Sequence, residues 1–341
     1  MRIAAAAADL PARRVLVPPV AGPFTRPAPG PIRTLSGDTM GTSWSVKLAG
    51  RPDLPLAMIE AAIRSALDGV IAEMSGWNPG SDLVRFNHAP AGTWHELPDG
   101  FRTVIDTALR IAELSDGAFD PTLGALLDCW GFGPSRPRSD RPNQVTLAAL
   151  RVDSGWRRLR FDGPRLLQPG GLRLDLSGIA KGYAVDLVAS ALRDLGLTSF
   201  LVEIGGELRG EGIKPDLSPW WVTLEHPPGA AVHLGETLVA LHGLSVATSG
   251  DYRRIRDIGG RSVSHTMDPA TGSPVANGIA SVSVVARSCM EADAWATALA
   301  VLGPEKAVPV ARQHDIAAHI VVRTDGAFAE ICTPALDRLA E

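Results

Sequence analysis

The 341-residue sequence predicts an α+β fold. Helical stripes of period 3.6 and alternating strands of period 2 both recur along the chain. They follow no regular βαβ rhythm, which argues against a doubly wound parallel sheet. No internal repeat is present.

Taken in order, TSWSVKLAG (42–50) alternates like a strand. Residues 55–74 carry Leu56, Ile59, Ile63, Leu67, Val70 and Met74 on one helical stripe, with Pro55 suited to the first turn. Residues 75–87 read as a turn-rich loop. Residues 98–114 form a second helix, with Phe101, Val104, Ile105, Ala108, Leu109 and Ala112 facing inward. Residues 115–134 open as a loop and hold a short helical piece, and 135–170 read as a Pro/Arg-rich loop followed by short strands. LRLDLSGIAKG (172–182) enters a helix that Gly196 closes. Strands follow near 199–212, 219–227 and 278–288, and 317–331 reads as a hairpin around Asp325-Gly326. Between the last two lies SCMEADAWATALAVLGP (288–304), a helix with Ser288 and Glu291 at capping-box spacing and Gly303-Pro304 at its end.

Bulk properties narrow the function classes. The chain is 45% hydrophobic and 21% charged, with a formal net charge of −4, so it offers no basic footprint for nucleic acid or anionic membrane. Cys129, Cys289 and Cys332 are far apart and lack zinc spacing, so they read as reduced or buried thiols. No segment approaches roughly 18 uninterrupted apolar residues, so no membrane span is expected. Residues 1–34 are rich in Ala, Pro and Arg and read as a disordered or loosely packed extension. They lack the apolar core of a signal peptide and a lipobox cysteine. A cytoplasmic location is therefore expected, a periplasmic one requiring a different start or export signal. Residues 35–333 are expected to form one catalytic domain, and 334–341 a short tail.

Several segments place polar residues where a core does not need them. Asp293 and Thr297 stand at i and i+4 on the largely apolar 288–304 helix. Their oxygens suit Mg²⁺, or else Asp293 favours the helix start and Thr297 bonds back to its own backbone. In LDLSGIAKGYAVD, Asp175 ends an apolar strand and Lys181 opens a helix carrying Asp186, a ligand site or an ion pair between Lys181 and either aspartate. Thr248, Ser249 and Gly250 offer donors to a phosphate or end a strand. His265, three residues before Asp268-Pro269, is placed for acid–base chemistry or phosphate contact, or is a solvated turn residue. Phe119 and Asp120 in GAFDPT offer a stacking face and a polar contact, or a proline-fixed turn.

In combination and order these segments say more. MGTSWSV, MSGWNPGSDLVRFN, GAFDPTLGALLDCWGFG, LDLSGIAKGYAVD, EIGGELRGEG, VATSGDY, SHTMDPATGSPV and SVSVVARSCMEADAWATAL together resemble the ApbE family, the FAD:protein FMN transferases, over about residues 38–330. The resemblance implies a T-fold-like α+β domain that binds FAD as substrate with Mg²⁺. It further implies transfer of the FMN moiety to a threonine or serine hydroxyl of a client flavoprotein, with release of AMP. By motif, Met40, Trp77, Ala118, Phe119, Asp120, Asp175 and Lys181 fall on FAD contacts; Thr248 and Ser249 are expected to hold phosphate oxygens. Gly178 (through its carbonyl), Asp293 and Thr297 fall on the metal ligands. His265 is the expected base, with Asp268 as its orienter or an alternative base. Two positions depart from the family pattern: Ala270 stands where an Arg or Lys is usual, and Glu207 where Gly-Gly-Asp is usual. Neither touches the expected metal ligands, so activity is still expected. Related proteins with the same metal site hydrolyse FAD to FMN and AMP, and a non-catalytic FAD binder is the remaining alternative.

Overall fold

The computed structural model describes residues 13–18, 27–50, 52–135, 140–230 and 234–340. Helices and strands mix throughout, as the α+β expectation requires. The stretch expected as one catalytic domain divides into two compact units. Unit 1 holds residues up to 66, 181–252 and 277–341, and unit 2 holds 67–180 and 253–276.

Unit 1 is built on an eight-stranded sheet. Its strands are β1 (Arg33–Thr39), β2 (Thr42–Leu48), β3 (Phe200–Ile204), β4 (Glu207–Glu211), β5 (Leu244–Gly250), β6 (Ile279–Ala286), β7 (Ala317–Thr324) and β8 (Ala327–Cys332). They lie side by side in chain order, and every neighbouring pair is antiparallel. Two-residue turns close β1–β2 at Met40-Gly41 and β7–β8 at the expected Asp325-Gly326. Buried side chains on both faces of β5 and β6 show that the centre of the sheet is covered twice. One face packs on a three-stranded sheet of Arg14–Leu16, Trp220–Thr223 and Thr237–Leu241, through Leu201, Val246 and Val285 against Val222, Val239 and Leu241.

Helix α1 (Leu56–Met74) follows β2 and runs on into unit 2, where α2 (Asp82–Asn87), α3 (Asp99–Leu114), α4 (Gly124–Cys129) and α5 (Gln144–Asp153) lie. The chain returns through α6 (Ala180–Asp194). Helix α7 (Cys289–Gln313) packs on β5 and β6. It breaks at Gly303, whose φ of 75° only glycine adopts freely, and Pro304 restarts it, so helix extends beyond the expected stop.

Other expectations need correction. Within the extension read as loose, Arg14–Leu16 is a strand parallel to Thr237–Val239, while residues 1–12 and 19–26 lie outside the described residues. The tail carries α8 (Pro334–Asp337), capped by Thr333, and buries Leu336 in the unit 1 core. The loop expected over 75–87 contains α2, because Ser81 accepts from the Val84 N–H and starts a helix too short to show a period. The Pro/Arg-rich stretch contains α5, capped in the same way by Asn143.

Arg14 ties its strand to β8. It donates to Cys332 Sγ and Glu330 Oε1, each at 2.9 Å, and His319 Nε2 lies 2.9 Å from Glu330 Oε2. Burial pushes the Glu330 carboxyl up, but His319 and Arg14 together hold it below the usual carboxylate range. Its contribution to stability is therefore present above its unfolded pKa and lost as pH falls through its depressed native value. Burial, reinforced by His319, lowers the pKa of His226, so the unfolded chain takes that proton first and stability declines as pH drops below about 6.5. Arg14→Ala is expected to cost about 1–3 kcal/mol at pH 7 and to flatten the part of the acid loss that Glu330 carries. Urea unfolding of both proteins between pH 4 and 8 checks this, and parallel pH profiles would refute it.

Candidate functional site

In unit 1 the α6–α7 contact gathers Lys181, Asp293 and Thr297, with Ser249 beside Thr297 on β5. Asp293, on the second turn of α7, is 4% exposed between Ala292 and Ala294. Its Oδ2 accepts the N–H of Gly182 at 3.0 Å, a first-turn donor at the positive end of α6. That approach depends on glycine. A Cβ at position 182 would land on the Cys289 carbonyl oxygen and 2.8 Å from the Asp293 Cβ. One turn on from Asp293, Thr297 places its hydroxyl 3.2 Å from that of Ser249 on β5. A carboxylate in an apolar helix, next to two hydroxyls, is an all-oxygen donor set of the kind a hard cation takes, so these residues fit Mg²⁺.

Lys181 pairs with Glu207, 1% exposed at the start of β4, and with neither aspartate considered from sequence. Asp186 has a different role. It accepts from Arg209, from the Ser288 hydroxyl and from the Met290 N–H, and so caps α7 from the side of α6. Burial, with Asp186, Glu207 and Asp293 nearby, pushes the Cys289 thiol well up and keeps it protonated and inert. Met40 sits at the β1–β2 tip with φ of 48°, a left-handed conformation that costs a bulky residue roughly 1 kcal/mol.

Thr248 does not join Ser249. Side chains alternate along β5, so Thr248 lies on the opposite sheet face, buried and bonded to Ser283 at 2.8 Å. The two hydroxyls expected on one phosphate therefore stand on opposite faces of the sheet.

Unit 2 brings the rest together in two groups. In the first, the Asp175 N–H donates to the Pro121 carbonyl at 2.8 Å, so the Ala118–Asp120 run and Asp175 are neighbours. The Asn87 side chain pairs both ways with the Leu174 backbone and fixes this approach. Asp175 accepts from the Ser177 N–H and hydroxyl, closing the turn that carries Gly178. Asp120 accepts from the Thr122 N–H and hydroxyl and from the Trp156 N–H. Burial raises its pKa even though those donors pull the other way. Phe119 is only 4% exposed and Ala118 is also buried, so the expected Phe119 stacking face is turned into the core. Trp77, 61% exposed, keeps its ring accessible.

The second group surrounds His265. Its backbone N–H donates to the Arg254 carbonyl, and its ring lies 6.4 Å from that of Phe132. Trp130 Nε1 donates to the Gly272 carbonyl at 2.9 Å, which holds the following turn against the end of α4. The Asp268 carboxylate serves that turn, accepting from the Ala270 N–H and the Thr271 hydroxyl at 2.9 Å each. Ala270 therefore contributes a backbone donor to that turn.

Residues 40–320 match the ApbE family. The chain belongs to that family. The FAD:protein FMN transferase of Vibrio cholerae is 37% identical to this ApbE-family chain over 298 residues, covering 87% of it and 89% of the relative. That of Escherichia coli K12 is 32% identical over 308 residues, 89% and 88% of the two chains. Among solved structures, apo flavinyl transferase ApbE of Pseudomonas stutzeri superposes with a TM-score of 0.84 at 40% identity, covering 91% of this chain and 96% of its own. The Vibrio cholerae flavin transferase ApbE gives 0.83 at 35%, with 90% and 99% covered.

Sequence reasoning did not reach Asp186 as a helix cap or Glu207 as the partner of Lys181. The 102- and 104-residue separations from Ser288 and Met290 hid the first. The 26-residue separation from Lys181 hid the second.

Proposed function

We propose that this protein is an FAD:protein FMN transferase that moves FMN from FAD to a threonine or serine hydroxyl of a client flavoprotein and releases AMP. The observation that carries the reading is the buried Asp293 with Thr297 and Ser249 in a family whose relatives bear that activity in their names. The side-chain oxygens of Asp293 and Thr297 would hold Mg²⁺, and the family resemblance adds the Gly178 carbonyl as a further donor. When bound, the ion offsets charge on the pyrophosphate oxygens.

The chain's own groups do the rest. Lys181, its charge balanced by Glu207, and Ser249 hold phosphate oxygens. Met40, Trp77, Asp120 and Asp175 contact the nucleotide. Transfer forms a bond between the acceptor oxygen and the FMN phosphorus and breaks the bond from that phosphorus to the bridging oxygen, which leaves with AMP. His265 takes the proton of the acceptor hydroxyl, a contribution of about 10²–10⁴ in rate. Asp268 supports it by fixing the turn that follows.

Incubation with FAD, Mg²⁺ and a client domain bearing a threonine acceptor is expected to give a flavin-fluorescent client band on a denaturing gel. EDTA abolishes that band, and His265→Ala weakens it by about 10²-fold or more. Metal-dependent release of free FMN without a labelled client would replace transfer with hydrolysis. FAD binding without either product would leave a binding protein.

A further inference from the structure

The hydrogen bonds that join α6 to α7 do more than close a helix end. An ordinary helix start is satisfied by its own cap, and Ser288 provides one by accepting from the Glu291 N–H at 3.3 Å. Here α6 reaches across as well. Asp186 accepts from the Ser288 hydroxyl at 2.8 Å and takes the Met290 N–H at 3.0 Å. Its other oxygen accepts from Arg209 Nη1 at 2.9 Å, and the same Arg209 nitrogen donates to the Arg287 carbonyl just before α7 begins. One turn earlier on α6, the Gly182 N–H meets Asp293. Two points one turn apart on α6 therefore grip two points on α7, and the backbone contact at Gly182 leaves no slack between them.

We propose that Asp186 is a positioning residue for the cation: it fixes the register of α7 against α6 and so sets the divalent-metal affinity of Asp293 and Thr297. This rests on the metal reading given above. A cation needs its ligand oxygens within a few tenths of an ångström of their places, and the groups that hold ligands typically govern 10–100-fold in affinity. Asp186 touches neither metal nor FAD in this scheme. Its effect passes through the first turn of α7, one helical turn from Asp293 and two from Thr297.

The test is the Mg²⁺ concentration that half-saturates the thermal upshift of the protein, measured with and without FAD, beside the Mg²⁺ dependence of labelling. Asp186→Ala is expected to raise half-saturation about 10–100-fold, while kcat at saturating Mg²⁺ stays within about threefold of the parent. Asp186→Asn keeps acceptor lone pairs for Ser288 and Met290 but loses the charge facing Arg209, and should fall between. Val239→Ala, in the small sheet, lowers the melting temperature without moving half-saturation, which separates positioning from general stability. Wild-type half-saturation in Asp186→Ala overturns the proposal. Should that variant fail to fold, Ser288→Ala reads the same quantity, with a several-fold rise expected and no change overturning the proposal. A wild-type protein that shows no Mg²⁺ response removes the metal reading itself, a different result from an unchanged variant.

Discussion

Asp293→Asn is expected to lower metal-dependent labelling of a client by about 10³-fold or more, equivalent to about 4 kcal/mol of transition-state stabilisation. Its effect on the fold should be the reverse of its effect on activity. The wild-type carboxylate is 4% exposed in an apolar helix, and its Oδ2 accepts the Gly182 N–H. Asparagine keeps an oxygen for that donor and removes the burden of a buried charge. In EDTA the variant should therefore melt at or above the wild-type temperature, and Mg²⁺ should no longer raise it. Calorimetry with and without Mg²⁺ beside a labelling assay reads both quantities. Labelling within about threefold of wild type would remove Asp293 from the metal site.

Gly182→Ala should fail for the opposite reason. On propensity alone, alanine in α6 would gain about 1 kcal/mol over glycine. The added Cβ, however, meets the Cys289 carbonyl and the Asp293 Cβ, neither of which is the movable end of a flexible side chain. Overpacking of this sort typically costs 1–3 kcal/mol, and relief requires α6 and α7 to move apart. Separation also breaks the bond from the Gly182 N–H to Asp293, so activity should fall by about 10²-fold even in the fraction that remains folded. A stable, fully active Gly182→Ala protein would show that the close approach of the two helices is dispensable.

Much of this was legible in the sequence because it is local. The periodic stripe and capping box of α7 placed Asp293 and Thr297 one turn apart, and Asp325-Gly326 placed the β7–β8 hairpin. Short helices escaped, since α2 and α5 are started by single capping side chains within loop-like composition. The split faces of Thr248 and Ser249 follow from strand alternation once β5 is known to run through both. The burial of Phe119, the Lys181–Glu207 pair and the Asp186 cap depend on segments that meet only in three dimensions. Nothing in a window of ten or twenty residues announces them.

The latch between Arg14 and β8 also bears on how the chain matures. Partners 316 residues apart meet there, so the Arg14 strand leaves the ribosome long before the carboxylate that its guanidinium binds. Unit 2 is equally unable to finish early, because residues 253–276 emerge only after β5 has been made. A nascent chain therefore exposes an open sheet edge at β6 until β7 and β8 arrive. Long-range closure of this kind folds slowly, and the edge of β6 is open to wrong pairing until β7 covers it.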